Sequence, residues 1–290
     1  MTNRWVVGAR LRTLPAAVVP VVVGTAAAVG EAGGGIQGWR VGAALVVALA
    51  IQVATNYVND YADGVRGTDD RRVGPVRLVA SGLATANEVK VAAGGAALVA
   101  AVAGLALAVA VGPEVLVVGV ASFLAGYLYT GGPKPYGYLG LGEVFVFVFF
   151  GVVATVGSAY VQLDRVTGLA FGAAVPVGLL ATALLVVNNL RDIPTDARSG
   201  KRTLAVRLGD GATRALYVAL VAGAFAAVPL LALRRPWALV AVVAVAAAVA
   251  PIRRIADGTT GRGLVEVLGA TGRLQLVFGA LLAVGLAVSG

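Results

Sequence analysis

The chain has 290 residues, 59% of them hydrophobic and 13% charged, with a formal net charge of +9. This composition excludes an ordinary soluble domain and points to a polytopic membrane protein built from apolar helices. With no cysteine and no histidine, the chain also excludes disulfides, thiolate zinc sites, histidine-ligated haem and Ser-His-Asp catalysis.

Apolar runs predict about nine transmembrane helices, an all-α fold, at approximately 14–30, 41–59, 91–111, 115–130, 143–160, 169–187, 215–233, 237–251 and 273–289. Arg4, Arg10 and Arg12 precede the first run and no cleavage site follows it, so it reads as a retained span. With the N-terminus inside, all but four of the 23 Lys and Arg residues fall on inner segments; the outer ones are Arg40, Arg165, Arg234 and Arg235. That asymmetry predicts a multi-pass protein of the cell membrane. The net charge then needs no nucleic-acid partner, because topology and attraction to anionic membrane lipid account for it. Residues 1–290 read as one transmembrane domain with an imperfect repeat, about 1–112 and 113–251, followed by a final span.

The second span ends in Asn56-Tyr57-Val58-Asn59-Asp60-Tyr61-Ala62-Asp63, and the sixth ends in Asn188-Asn189-Leu190-Arg191-Asp192-Ile193-Pro194-Thr195-Asp196. The charge asymmetry places both clusters on the cytoplasmic side. Carboxylates at a bilayer edge are costly unless they bind something, so each cluster reads as a functional site. On a helix Asn56, Asp60 and Asp63 share one face, and Asn188 and Asp192 repeat the i, i+4 relation. Pro194 makes an unbroken helix unexpected there, so Asp196 is expected to project from a loop. Two sparse carboxylate sites, Asp60 with Asp63 and Asp192 with Asp196, suit Mg²⁺ ions that hold a diphosphate between them. Helix capping, or ion pairing with Arg66 and Arg191, is the competing explanation. Holding a diphosphate requires its negative charge to be neutralised, a task that suits Lys201 and Arg202, with Arg66 and Arg77 as further candidates. Tyr57, Tyr61, Tyr136 and Tyr138 could shield a cation with their ring faces, although tyrosines also collect at membrane interfaces. Arg10, Arg12 or Lys134 could meet a substrate carboxylate, and Glu143 could hold a proton or simply cap its helix.

These residues carry a resemblance to the UbiA family of intramembrane aromatic prenyltransferases. Asn59-Asp60-Tyr61-Ala62-Asp63 and Asp192-Ile193-Pro194-Thr195-Asp196 stand where the family has its two acidic motifs, and the resemblance covers nearly the whole chain. Gly67 stands where many relatives have a third Asp, a place that Asp69 or Asp70 could fill. Within the family the chain is most similar to enzymes that prenylate 1,4-dihydroxy-2-naphthoate. The matching strings are Arg12-Thr13-Leu14-Pro15, Gly67-Thr68-Asp69, Thr130-Gly131-Gly132-Pro133 through Tyr136-Gly137-Tyr138, and Gly200-Lys201-Arg202-Thr203-Leu204. The resemblance implies a Mg²⁺-dependent transfer of a polyprenyl chain from its diphosphate to this aromatic acceptor, with decarboxylation. Acceptors such as 4-hydroxybenzoate, homogentisate or a tetrapyrrole are alternatives within the family. Two other classes fit less well. CDP-alcohol phosphotransfer would continue Asp60-Tyr61-Ala62-Asp63-Gly64 with an Ala-Arg pair that Gly67-Thr68 does not supply. An inverted-repeat transporter would place its charges at mid-membrane rather than at one edge.

Overall fold

The boundaries of the helices are written locally. In the computed structural model, which describes residues 3–67 and 76–290, Asn3 caps the short helix α1 (Arg4–Ala9) by accepting the Trp5 N–H at 2.9 Å. Pro15 opens α2 (Pro15–Ala28) at its first position, where a missing N–H costs nothing. Helix α3 (Gly38–Val65) carries the first acidic cluster in its last turns. A reciprocal box between Thr85 and Glu88 starts α4 (Ala86–Val111). Then come α5 (Glu114–Thr130), α6 (Gly142–Leu163) and α7 (Gly168–Arg198). The last three helices are α8 (Leu204–Ala232), α9 (Pro236–Ala256) and α10 (Gly263–Val288). Threonines 167 and 203 cap α7 and α8. There is no strand among the described residues. Asp69 and Asp70, the possible substitutes for a third family Asp, lie outside the described residues.

Each of the nine apolar runs is helical, but length and composition qualify fewer as complete spans. Helices α3, α4 and α6 to α10 are long and apolar enough to cross a bilayer. An eighth crossing arises if Arg4–Thr13 and α2, bent by 52° at their junction, count together. Helix α5 has 17 residues and rises only about 25 Å, short of the roughly 30 Å hydrocarbon layer.

Helix α7 is the central post: 72% of its apolar stretch is buried, against 17% for α4, whose Val91, Leu98, Val102 and Val109 face outward. Val177, Leu180 and Leu184 of α7 pack with Val19 and Val23 of α2, Val221 of α8, and Leu274, Phe278 and Leu282 of α10. Tyr217 of α8 shares a 2.9 Å hydrogen bond with Thr271 of α10 inside this core. Helices α6 and α7 meet backbone to backbone. A Cβ on Gly151 would lie 2.5 Å from the Gly178 Cα, so only glycine permits the approach. This contact falls in a π-helical stretch of α6, Phe147–Val153.

One expectation is overturned. Pro194 does not end α7, which runs on to Arg198 and makes Asp196 helical and buried. A proline inside a helix removes one donor, and neighbouring side chains can occupy the freed turn. The carbonyl that loses its donor is that of Leu190; in the turn that follows, the Thr195 hydroxyl donates to the Asp192 carbonyl at 2.9 Å, and Arg198 Nε donates to the Pro194 carbonyl at 2.9 Å. A second break falls inside α8, where Gly209 takes a positive φ of 79° and separates a first turn from the remainder.

Candidate active site

A cavity of about 850 Å³ lies among α2 to α7. One face of α3 lines its length, marked by Ala44, Ala48, Ile51, Thr55, Asn59 and Asp63. Those residues climb the helix by about 28 Å, close to the thickness of a bilayer core. Apolar residues of α4, α5 and α6 form most of the remaining wall. Polar groups concentrate at the end where α3 and α7 stop. Asn56, Asn59, Asp63, Arg77, Asn188, Asn189, Asp192 and Lys201 all line the cavity.

The end of α3 is pinned by long-range hydrogen bonds. Asn56 Nδ2 donates to the Ala9 carbonyl at 3.0 Å and to the Thr13 hydroxyl at 3.2 Å, fixing α3 to the α1–α2 joint. The Thr130 hydroxyl donates to Asn59 Oδ1 at 2.7 Å and joins α5 to it. Asp63 accepts the Tyr138 hydroxyl at 2.8 Å on one oxygen, while Lys201 Nζ stands 3.8 Å from the other. Lys201 also sits 5.1 Å from the Tyr138 ring centre, and the Arg66 guanidinium 5.5 Å from it. Both cations therefore lie within cation–π reach of the one Tyr138 ring. Among the described residues Arg66 donates to the carbonyls of Thr130 and Gly132. At the end of α7, Arg191 grips Asp192 through both oxygens, at 2.7 and 2.8 Å, with both residues buried. Among the described residues no group of three acidic side chains forms a preformed metal cage.

The site residues expected from sequence divide into three sets. Asn56, Asp63, Arg77, Tyr136, Asn188, Asp192 and Lys201 reach the cavity. Arg66, Lys134, Tyr138 and Arg202 line a smaller hollow of about 410 Å³ beside it, with Gly200 and Arg207. Tyr57, Tyr61, Asp60 and Asp196 are not on the cavity wall. Tyr57 follows Asn56 by one residue and so points about 100° away around the helix. It packs against Leu78 in a satellite core with Tyr61 beside it, and its hydroxyl donates to the Trp5 carbonyl at 2.8 Å. Asp60 is fully buried, and its two oxygens accept the backbone N–H groups of Leu78 and Val79.

Aromatic rings form the next layer. Tyr136 stacks on Phe145, with ring centres 3.8 Å apart, and Phe145 lies parallel to Phe149 at 6.0 Å. All three line the cavity, as does Tyr129. Burial pushes the Tyr136 phenol above its ordinary value, so it stays protonated and keeps donating to the Ala125 carbonyl at 2.7 Å. Sequence reasoning missed Phe145, Phe149, Tyr129 and Thr130 as site residues. The i, i+4 spacing of Phe145 and Phe149 was the available signal. Glu143 is buried on α6 and accepts Asn189 Nδ2 at 2.8 Å.

A bundle of membrane-crossing helices encloses an apolar cavity, and acidic, carboxamide and cationic groups meet at one of its ends. That combination defines an integral-membrane protein with an apolar cavity that is polar and charged at one end. Comparison with known proteins gives the class a family. The UbiA prenyltransferase family matches residues 17–263, and the chain belongs to it. It is 49% identical to the 1,4-dihydroxy-2-naphthoate octaprenyltransferase of Mycobacterium tuberculosis over 98% of this chain and 97% of that one. It is 39% identical to the protein of the same name from Escherichia coli over 77% and 74%. The fold is that of a UbiA homolog from Archaeoglobus fulgidus bound to GPP and Mg²⁺ (TM-score 0.70, 13% identity, 97% and 99% covered). It also matches the apo UbiA homolog from Aeropyrum pernix K1 (TM-score 0.71, 16% identity, 98% and 99% covered). The protein is accordingly a multi-pass membrane protein.

Proposed function

We propose that this chain transfers a polyprenyl group from its allylic diphosphate to 1,4-dihydroxy-2-naphthoate, with loss of CO₂, giving demethylmenaquinol at the cytoplasmic face of the cell membrane. The observation that carries the reading is the continuity of the cavity: Asp63, Arg77, Asp192 and Lys201 face one end of it, and an apolar channel continues from there along α3. The shared name of relatives at 49% and 39% identity supports the choice of acceptor.

The donor set suits a hard divalent cation. Carboxylate oxygens of Asp63 and Asp192, the nearby Asp196, and the carboxamides of Asn56 and Asn188 are all hard ligands. Mg²⁺ takes few carboxylates and leaves positions for phosphate oxygens. Bound there, it would neutralise charge building on the departing diphosphate. The chain's own part is larger. Lys201 and Arg77 accept the negative charge that develops when the allylic C–O bond breaks and its electron pair leaves with the diphosphate. Tyr136 and Phe149, the outer rings of the stack about Phe145, line the same cavity and would favour positive charge on the allylic carbon without reacting with it. Arg10, on the same wall, is the candidate partner for the acceptor carboxylate. The acceptor carbon bearing that carboxylate forms the new C–C bond. The carboxylate then leaves as CO₂ and returns its bonding electrons to the ring. No proton has to be removed by a protein base, which agrees with a chain lacking histidine and cysteine.

Purified protein given a polyprenyl diphosphate, Mg²⁺ and a naphthoate labelled in its carboxyl carbon should release labelled CO₂ in step with demethylmenaquinol, and EDTA should stop both. Efficient prenylation of 4-hydroxybenzoate with no turnover of the naphthoate would refute the acceptor assignment. Full turnover in EDTA by a metal-free preparation would refute the cation.

A further inference from the structure

Asp60 is the one carboxylate of the first cluster that is fully buried, at 0% exposure, and its contacts differ in kind from those of Asp63. Its Oδ2 accepts the Leu78 N–H at 2.9 Å and its Oδ1 accepts the Val79 N–H at 3.0 Å. The segment it grips is wedged from other sides as well. Leu78, 0% exposed, packs with Tyr57, Ala84 and Val89. A Cβ on Gly8 would come within 2.6 Å of Leu78 Cδ1, and one on Gly64 within 2.7 Å of Val79 Cβ. The carbonyl of Arg77 accepts from the Ser81 N–H at 3.1 Å and from the Ser81 hydroxyl.

Arg77 is the residue immediately before the first gripped amide. The peptide plane joining Arg77 to Leu78 is therefore held on its N–H side by Asp60 and on its carbonyl side by Ser81. Fixing that plane fixes the Cα–C bond of Arg77 and so restrains the direction in which its side chain leaves the backbone. The side chain is buried and lines the cavity at the end that holds Asp63, Asp192 and Lys201. An arginine gains as an anion clamp when its fork is oriented before the ligand arrives.

We infer that Asp60 is a positioning residue rather than a metal ligand: it locks residues 77–79 so that the Arg77 guanidinium is presented to the diphosphate end of the cavity. This rests on the proposed function for the identity of the anion, and it gives the two acidic residues of the Asn59–Asp63 motif separate tasks.

The test compares Asp60→Asn, Arg77→Ala, the double variant and Asp63→Asn, with inorganic diphosphate as the binding probe and Mg²⁺ as the titrant. An asparagine offers one acceptor where two are needed, so one amide loses its partner. Asp60→Asn should weaken diphosphate binding by at least about tenfold, as Arg77→Ala does. The double variant should be no weaker than the worse single. The Mg²⁺ concentration for half-maximal activation should stay at the wild-type value in Asp60→Asn and rise in Asp63→Asn. A rise in Asp60→Asn equal to that in Asp63→Asn would overturn the inference, as would multiplicative effects of Asp60→Asn and Arg77→Ala. Should Asp60→Asn fail to fold, Gly64→Ala displaces Val79 while leaving the Asp60 carboxylate intact. Unchanged diphosphate affinity in that variant would equally count against the idea. Wild-type protein that binds no diphosphate at all would remove the functional reading itself, and this inference with it.

Discussion

Asp63 is held from two sides, by the Tyr138 hydroxyl and by Lys201, and it borders the cavity. Asp192 borders the same cavity but is locked to a buried arginine, Arg191, through both oxygens. The two carboxylates should therefore respond differently to removal. Asp63→Asn should lower kcat by roughly 10²–10³-fold with little change in the thermal midpoint, because asparagine still accepts the Tyr138 hydroxyl and only the long 3.8 Å pairing with Lys201 is lost. Asp192→Ala should lose activity as well, and it should also cost about 3 kcal/mol of stability, because Arg191 is left buried without its counter-charge. Replacing Arg191 and Asp192 together by apolar residues should restore the midpoint and leave the activity lost. Equal melting of Asp192→Ala and wild type would contradict this account. At this scale Asp63, Asp192 and Lys201 were legible because short strings around them carry recognisable spacing. The bond between Thr130 and Asn59 was not, because it joins residues 71 positions apart. Tyr57 misled for a local reason: adjacent positions on a helix face different ways.

Helices were legible as apolar runs because the bilayer sets their length. Irregularities within them were not. Pro194 reads as a helix end and is instead carried within α7. Nothing in Phe147–Val153 announces a π-helical stretch. Such features depend on what a neighbouring helix presents, as the Gly151–Gly178 contact illustrates. Gly178→Val should force α6 and α7 apart, because its Cβ would already lie 2.8 Å from Phe147 Cδ2 and 3.1 Å from the Gly151 Cα. The expected cost is about 1–3 kcal/mol. It should be accompanied by weaker use of long prenyl donors, since α6 also forms the cavity wall. Gly95→Val on α4, with nothing within 4 Å and away from the cavity wall, serves as the control, and a matching loss there would argue against the close-approach explanation.

Across the whole molecule, the two acidic clusters meet although they are far apart in sequence. Lys201 follows Asp196 by five residues and still reaches Asp63, so α3 and α7 must end on the same side. The Lys/Arg asymmetry predicts that this side is cytoplasmic. Because the native chain has no cysteine, single cysteines report topology cleanly. A cysteine in place of Ser199 should be protected from an impermeant thiol reagent in intact cells and react after permeabilisation. One in place of Arg165 should label without permeabilisation. The reverse pattern would invert the orientation and the assignment of the reacting face.

Of the charged groups that line the cavity, Arg10, Asp63, Arg77, Asp192 and Lys201 gather at one end, Glu114 alone stands at the other with its carboxylate bonded to Tyr160, and the wall between is mostly apolar along some 28 Å of α3. This asymmetry has a consequence for turnover. The donor is held by its anionic head as well as its tail, whereas the quinol product has lost both the diphosphate and the carboxylate. Chemistry thus removes the handle by which the protein holds its ligand, and the tail alone has no preference for the cavity over surrounding lipid. Release into the bilayer then needs no coupled energy source. Inorganic diphosphate should compete with the donor, while the finished quinol should inhibit weakly even as it accumulates in the membrane around the enzyme.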